Sequence, residues 1–184
     1  MLCEPVPRNE EEAMRRNEHV KARAMELGRG IVKCLLYPVQ GNQSVLVDVA
    51  LEEGSGPKPR LIDLMVPSYM HKNGESNEQV VVLDRSTIRL ERLTRESILV
   101  FKYAYTVFYS RRDEHWGYRS PNETLNRLAG RDLKCWGNVL VCKSGRQSDT
   151  LDDMTESERG LIDRVLTEEI WSHRLDQSGW QPNR

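Results

Sequence analysis

From Ile98 to Ser110 the chain runs Ile-Leu-Val-Phe-Lys-Tyr-Ala-Tyr-Thr-Val-Phe-Tyr-Ser, its longest stretch of β-forming residues. Within it the side chains alternate. Phe101, Tyr103, Tyr105, Val107 and Tyr109 fall on one side of an extended strand, and Lys102, Ala104, Thr106, Phe108 and Ser110 on the other. A helix would scatter these residues around its circumference, whereas a half-buried strand gathers the large rings on one face. Seven of the twelve aromatic residues lie between Phe101 and Tyr118, so an aromatic core or pocket has to be built here. The simplest expectation is a central strand packing its aromatic face on helices. A sharper one is a ligand pocket lined by Tyr103, Tyr105 and Tyr109, because buried phenol hydroxyls need partners and a ligand can supply them.

A charged loop follows, Arg111-Arg-Asp-Glu-His-Trp-Gly-Tyr-Arg119. Asp113, Glu114 and His115 place acid and base groups together. Trp116 and Tyr118 could exclude water there, and Arg111, Arg112 and Arg119 could bind an anion. These are the catalytic and ligand-binding candidates of the loop, set against the plain reading of a solvated charged loop. A helix is then signalled over 120–129, with Ser120 as N-cap, Pro121 at the first helical position, Glu123 completing a capping box and Gly130 at the C-terminal end.

The remaining segments read as α+β. Asn9 and Glu12 open a helix that runs to Leu27, with a thin apolar stripe that suggests a peripheral helix or one with a partner in another molecule. Ile31–Tyr37 and Ser44–Leu51 form an antiparallel hairpin, with Asp48 expected to face outward. Residues 52–60 and 71–79 read as loops, Leu61–Val66 and Val80–Leu83 as strands, and 86–96 as an ambiguous strand. A second hairpin is expected around Gly137-Asn138, with Cys135 and Cys142 diagonal across it and too far apart to bond. Thr155 and Glu158 cap a last helix. Its apolar face is Leu161, Ile162, Val165, Leu166, Ile170 and Trp171, with Gly160 allowing close packing near its start. The expected fold is an antiparallel or mixed sheet of about five to seven strands with helices at both termini and one short helix between. Residues 9–176 form its single domain, with tails at 1–8 and 177–184.

Net charge is −1, so no global field draws the chain to nucleic acid or membrane. Its distribution is uneven. Residues 85–119 carry eight basic groups against four acidic, and residues 146–176 four basic against nine acidic. An acidic C-terminal helix docking on the basic middle, within one chain or between two, is the plain account. A basic patch for an anionic partner is the alternative. No signal peptide or membrane-length apolar run is expected, and the mean hydropathy is −0.64. Cys3, Cys34, Cys135 and Cys142 show no zinc or redox spacing, so free thiols in a reducing compartment, no metal and no cofactor are expected.

These features favour an intracellular, cytoplasmic or nuclear, non-enzymatic binding protein whose partner is a protein, self or other. The first alternative is a small cofactor-free enzyme or ligand-binder using the tyrosine face and the 111–119 loop. The second is a nucleic-acid module using the 85–119 basic region.

Overall fold

The computed structural model describes residues 7–52, 60–61, 69–72, 79–82, 85–92, 100–110, 121–145 and 150–170. Within these, the first helix, α1 (Glu10–Glu26), starts where Asn9 accepts a hydrogen bond from the Glu12 backbone N–H at 2.9 Å, and three glutamates sit at the positive end of its dipole. Glu12 reaches back to the Arg8 N–H at 2.7 Å. Gly28, at φ 61°, takes the left-handed conformation that lets the chain turn out of the helix.

Two β-branched and leucine-rich strands follow, β1 (Ile31–Tyr37) and β2 (Val45–Glu52), paired antiparallel from Leu36↔Val45 to Ile31↔Ala50 as the hairpin reading requires. Strand β3 (Arg60–Leu61) adds to the end of β2. Strands β4 (Tyr69–Lys72) and β5 (Gln79–Val82) form a separate two-stranded sheet, so His71, Lys72 and Gln79 are strand residues and not loop as expected. Strand β6 (Arg85–Arg92) shows the ambiguous segment as extended up to Arg92, and residues 93–96 lie outside the described residues. Strand β7 (Val100–Ser110) is the alternating run, and β8 (Val139–Ser144) and the short β9 (Leu151–Asp152) complete the set.

The main sheet has the order β3-β2-β1-β8-β7-β6, with β9 joined to β8, and every pairing in it is antiparallel. With the helices this is the expected α+β class. The centre of the sheet is the β1–β8 pair; the aromatic strand β7 is interior but one place further out. One face gathers Leu35, Tyr37, Tyr105, Val107, Tyr109, Val139 and Val141. Two helices cover it: α2 (Glu123–Ala129) through Leu125, and α3 (Glu156–Arg164) with its π-helical continuation (Val165–Ile170) through Ile162, Val165 and Leu166. The other face gathers Val32, Cys34, Leu36, Val45, Val47, Val49, Leu140 and Cys142, with Ala13 of α1 against it.

Further expectations are corrected. First, α2 begins at Glu123, not near Ser120. Its cap is Asn122, whose side chain accepts from the Leu125 N–H at 2.8 Å, while Pro121 forms a β-bridge with Trp136. Asn122 is the better placed cap because its amide also donates to the Tyr37 carbonyl at 3.1 Å and the Gly137 carbonyl at 2.8 Å. The same bridge replaces the expected hairpin around Gly137-Asn138, since Trp136 pairs with Pro121 rather than with Val139. Third, Asp48 is only 2% exposed. It lies between the Lys21 and Lys33 ammonium groups at 3.1 and 3.0 Å, and its backbone N–H donates to Asn17. Two cations offset the burial of one anion, which an isolated outward-facing reading does not consider. Asn17 thereby ties α1 to a backbone N–H of β2. Fourth, Leu161 is exposed rather than part of the apolar face of α3, and a side chain at Gly160 would meet nothing within 4 Å, so that glycine permits no close packing.

Candidate functional site

The chemistry-bearing side chains converge where α3 crosses β7 and β8. Parity along β8 puts Val139, Val141 and Lys143 on one face, so the lysine at the end of an apolar strand points inward with them. Register then sets Lys143 opposite Tyr105. The α3 capping box supplies the counter-charge. Glu158 accepts from the Thr155 N–H at 2.9 Å and the Thr155 hydroxyl at 2.8 Å, which fixes its carboxylate over the strand pair.

Tyr105 donates its phenol hydrogen to Glu158 Oε1 at 2.8 Å, and Lys143 Nζ stands 3.1 Å from the same oxygen. Lys143 also donates to the Asp153 carbonyl at 3.3 Å and lies 4.2 Å from the centroid of the Tyr103 ring. Lys102 Nζ is 5.3 Å from that ring, and Phe101 meets Tyr105 edge-on at 5.6 Å between centroids. A second polar pair flanks the network. The buried Tyr37 hydroxyl donates to Asp163 Oδ1 at 2.6 Å, and Ser44 donates to the same atom at 3.0 Å.

The electrostatics follow from these contacts. Burial, then the hydrogen bond to Glu158 and its negative charge, push the Tyr105 phenol well above its ordinary value. Burial and the Asp163 carboxylate do the same for Tyr37. Burial alone would raise Glu158, but hydrogen bonds from Tyr105, Thr155 and Lys143 outweigh it and hold the carboxyl below its usual range. At neutral pH the phenol therefore keeps its proton and Glu158 stays ionised, so the pair forms a charge-assisted hydrogen bond that locks helix to sheet.

Of the ligand-binding candidates, Tyr105 and Tyr109 are buried in the core and Tyr103 is half-buried beside Lys143. Arg111, Arg112, Trp116, Tyr118 and Arg119 lie outside the described residues, as do the catalytic candidates Asp113, Glu114 and His115. So do the side chains of Arg85, Arg89, Arg92 and Arg95. Lys143 and Glu158 were not singled out as site residues from the sequence, although the parity of β8 and the Thr155–Glu158 capping box carried the signal for both. Among the described residues, no three or more His, Cys, Asp or Glu side chains group so as to hold a metal ion, and no helix is long and apolar enough to cross a membrane. No family model matches the chain, and neither a curated protein nor a solved structure is significantly similar to it.

Proposed function

We propose that this chain is an intracellular, non-enzymatic protein that binds another protein chain through α1. The observation that carries the reading is the outer surface of that helix. Only Ala13, Asn17, Val20 and Ala24 are buried along its 17 residues. Met14, Met25 and, just past the helix end, Leu27 are left 50%, 76% and 51% exposed. Met14 and Met25 are eleven residues apart, three helical turns, and so share one flank of the helix. Methionine is well suited to such a surface, because its unbranched, polarisable side chain adapts to a partner's contour. The polar groups of the tyrosine face support the same reading, since Tyr105, Lys143 and Glu158 are engaged with one another and Tyr37 with Asp163.

The test is the double variant Met14→Lys with Met25→Lys, compared with wild type by gel filtration of cell extract. Both positions are exposed, so the fold should hold to within about 0.5 kcal/mol. Wild type is expected to elute well above the 21.3 kDa of one chain and the variant at the monomer position. A wild type that elutes as a monomer, or a variant that elutes with it, contradicts the proposal.

A further inference from the structure

The sulfurs of Cys34 and Cys142 lie 3.0 Å apart, and neither side chain has any exposed surface. The register of the central strand pair explains the approach. Leu36 pairs with Leu140 and Leu35 with Val141, so continuing the ladder by one residue sets Cys34 opposite Cys142. Residues directly opposed in an antiparallel pair have Cα atoms about 4.5–5.5 Å apart, inside the roughly 4.4–6.8 Å that a disulfide spans. Both belong to the same apolar cluster, with Leu36, Val47 and Leu140, whereas Cys135 belongs to the cluster on the opposite face of the sheet. Their mutual hydrogen bond, then burial, push the Cys34 thiol well above its ordinary value. Burial shields both thiols and the raised Cys34 pKa slows that sulfur's own attack, so it is the facing of the two sulfurs that makes the pair a site for oxidation.

We propose that Cys34 and Cys142 are a reversible oxidation site, at which hydrogen peroxide converts the facing thiols into a disulfide joining β1 to β8 within the folded chain. One sulfur attacks the peroxide O–O bond, becomes a sulfenic acid and releases the first water. The second sulfur displaces the hydroxyl of that acid, the S–S bond forms, and a second water leaves. The two sulfurs supply the two electrons that break the O–O bond, and both thiol hydrogens end in the waters. Thiol–disulfide exchange with a small dithiol restores the pair.

The experiment treats the full native chain with hydrogen peroxide, blocks remaining thiols in denaturant, digests without reduction and reads the peptides by mass spectrometry. The Cys34 and Cys142 peptides are expected joined and two hydrogens lighter than their sum, and dithiothreitol is expected to release both as free thiols. Full alkylation of both cysteines, a sulfinic acid on either, or linkage of either to Cys3 or Cys135 overturns the proposal. A second measurement compares guanidinium unfolding of the oxidised and reduced forms. The bond connects positions 108 apart, so it restricts the unfolded chain and the oxidised form is expected to unfold at a higher denaturant concentration. A lower midpoint means that the sheet must distort to accept the bond, and overturns the claim that the pair is placed for it.

Discussion

Replacing Asn122 by Ala removes the residue that fixes α2 to the centre of the sheet. Its side chain is fully buried and makes three hydrogen bonds: it donates to the Tyr37 and Gly137 carbonyls and accepts from the Leu125 N–H. Loss of a helix cap costs about 1 kcal/mol. Two buried carbonyls left without their donor add about 1 kcal/mol each, or more if no water reaches them. The expected loss for Asn122→Ala is therefore about 3–4 kcal/mol, or on the order of 10 °C in Tm for a chain of this length. Two further variants separate the contributions. Asn122→Ser keeps a capping oxygen and loses the donors, so it should cost about 2 kcal/mol. Asn122→Asp keeps the cap but turns an anion toward two carbonyl oxygens, so at pH 7 it should be worse than Ser. Urea unfolding followed by far-ultraviolet circular dichroism gives all three values. A loss below about 1 kcal/mol for Asn122→Ala, or an Asp variant more stable than the Ser variant at pH 7, would refute the assignment of these bonds.

Further consequences can be checked on the same protein. The folded-state pKa of Glu158 is depressed, so its contribution is present above the ordinary carboxylate range and lost as pH falls through the folded value; Glu158→Gln should flatten the acid limb of a stability–pH curve, and an unchanged limb would count against the lock. Tyr37 and Tyr105 hold their protons above the pH at which unfolded tyrosines release them, so stability should fall as pH rises beyond about 10, with late ionisation of these phenols in an ultraviolet titration; normal titration by all six tyrosines would contradict this. Gly160→Ala should stabilise the protein by about 0.5–1 kcal/mol, because it lies within α3 and its added methyl meets open space; destabilisation in thermal unfolding would show that the site is packed.

What could be read from the sequence was local. The alternation of β7 needs only its own residues, and so does the Thr155–Glu158 box, whose partners are three positions apart. The hairpin β1–β2 is nearly as local. Asn122 was harder, because Ser120 and Pro121 offer an equally good start to a helix and the carbonyl that decides the matter belongs to Tyr37, 85 positions away. Asp48 is unremarkable until α1 brings Asn17 and Lys21 to it and the hairpin brings Lys33. The facing of Cys34 and Cys142 depends on β8 lying next to β1, an adjacency that residue pattern alone does not set. A different adjacency, β8 beside β7, sets Lys143 opposite Tyr105, and α3 then brings Glu158 to both, so the polar network at the candidate site depends on the strand order.

The central claim is that α1 carries a protein partner, and native mass spectrometry of the affinity-purified wild-type chain tests it most directly. The account predicts a mass equal to this chain plus at least one further protein chain, reduced to the single chain when Met14 and Met25 are both replaced by Lys. A single chain of 21.3 kDa in both samples, whether empty or carrying the same retained small molecule, would contradict it.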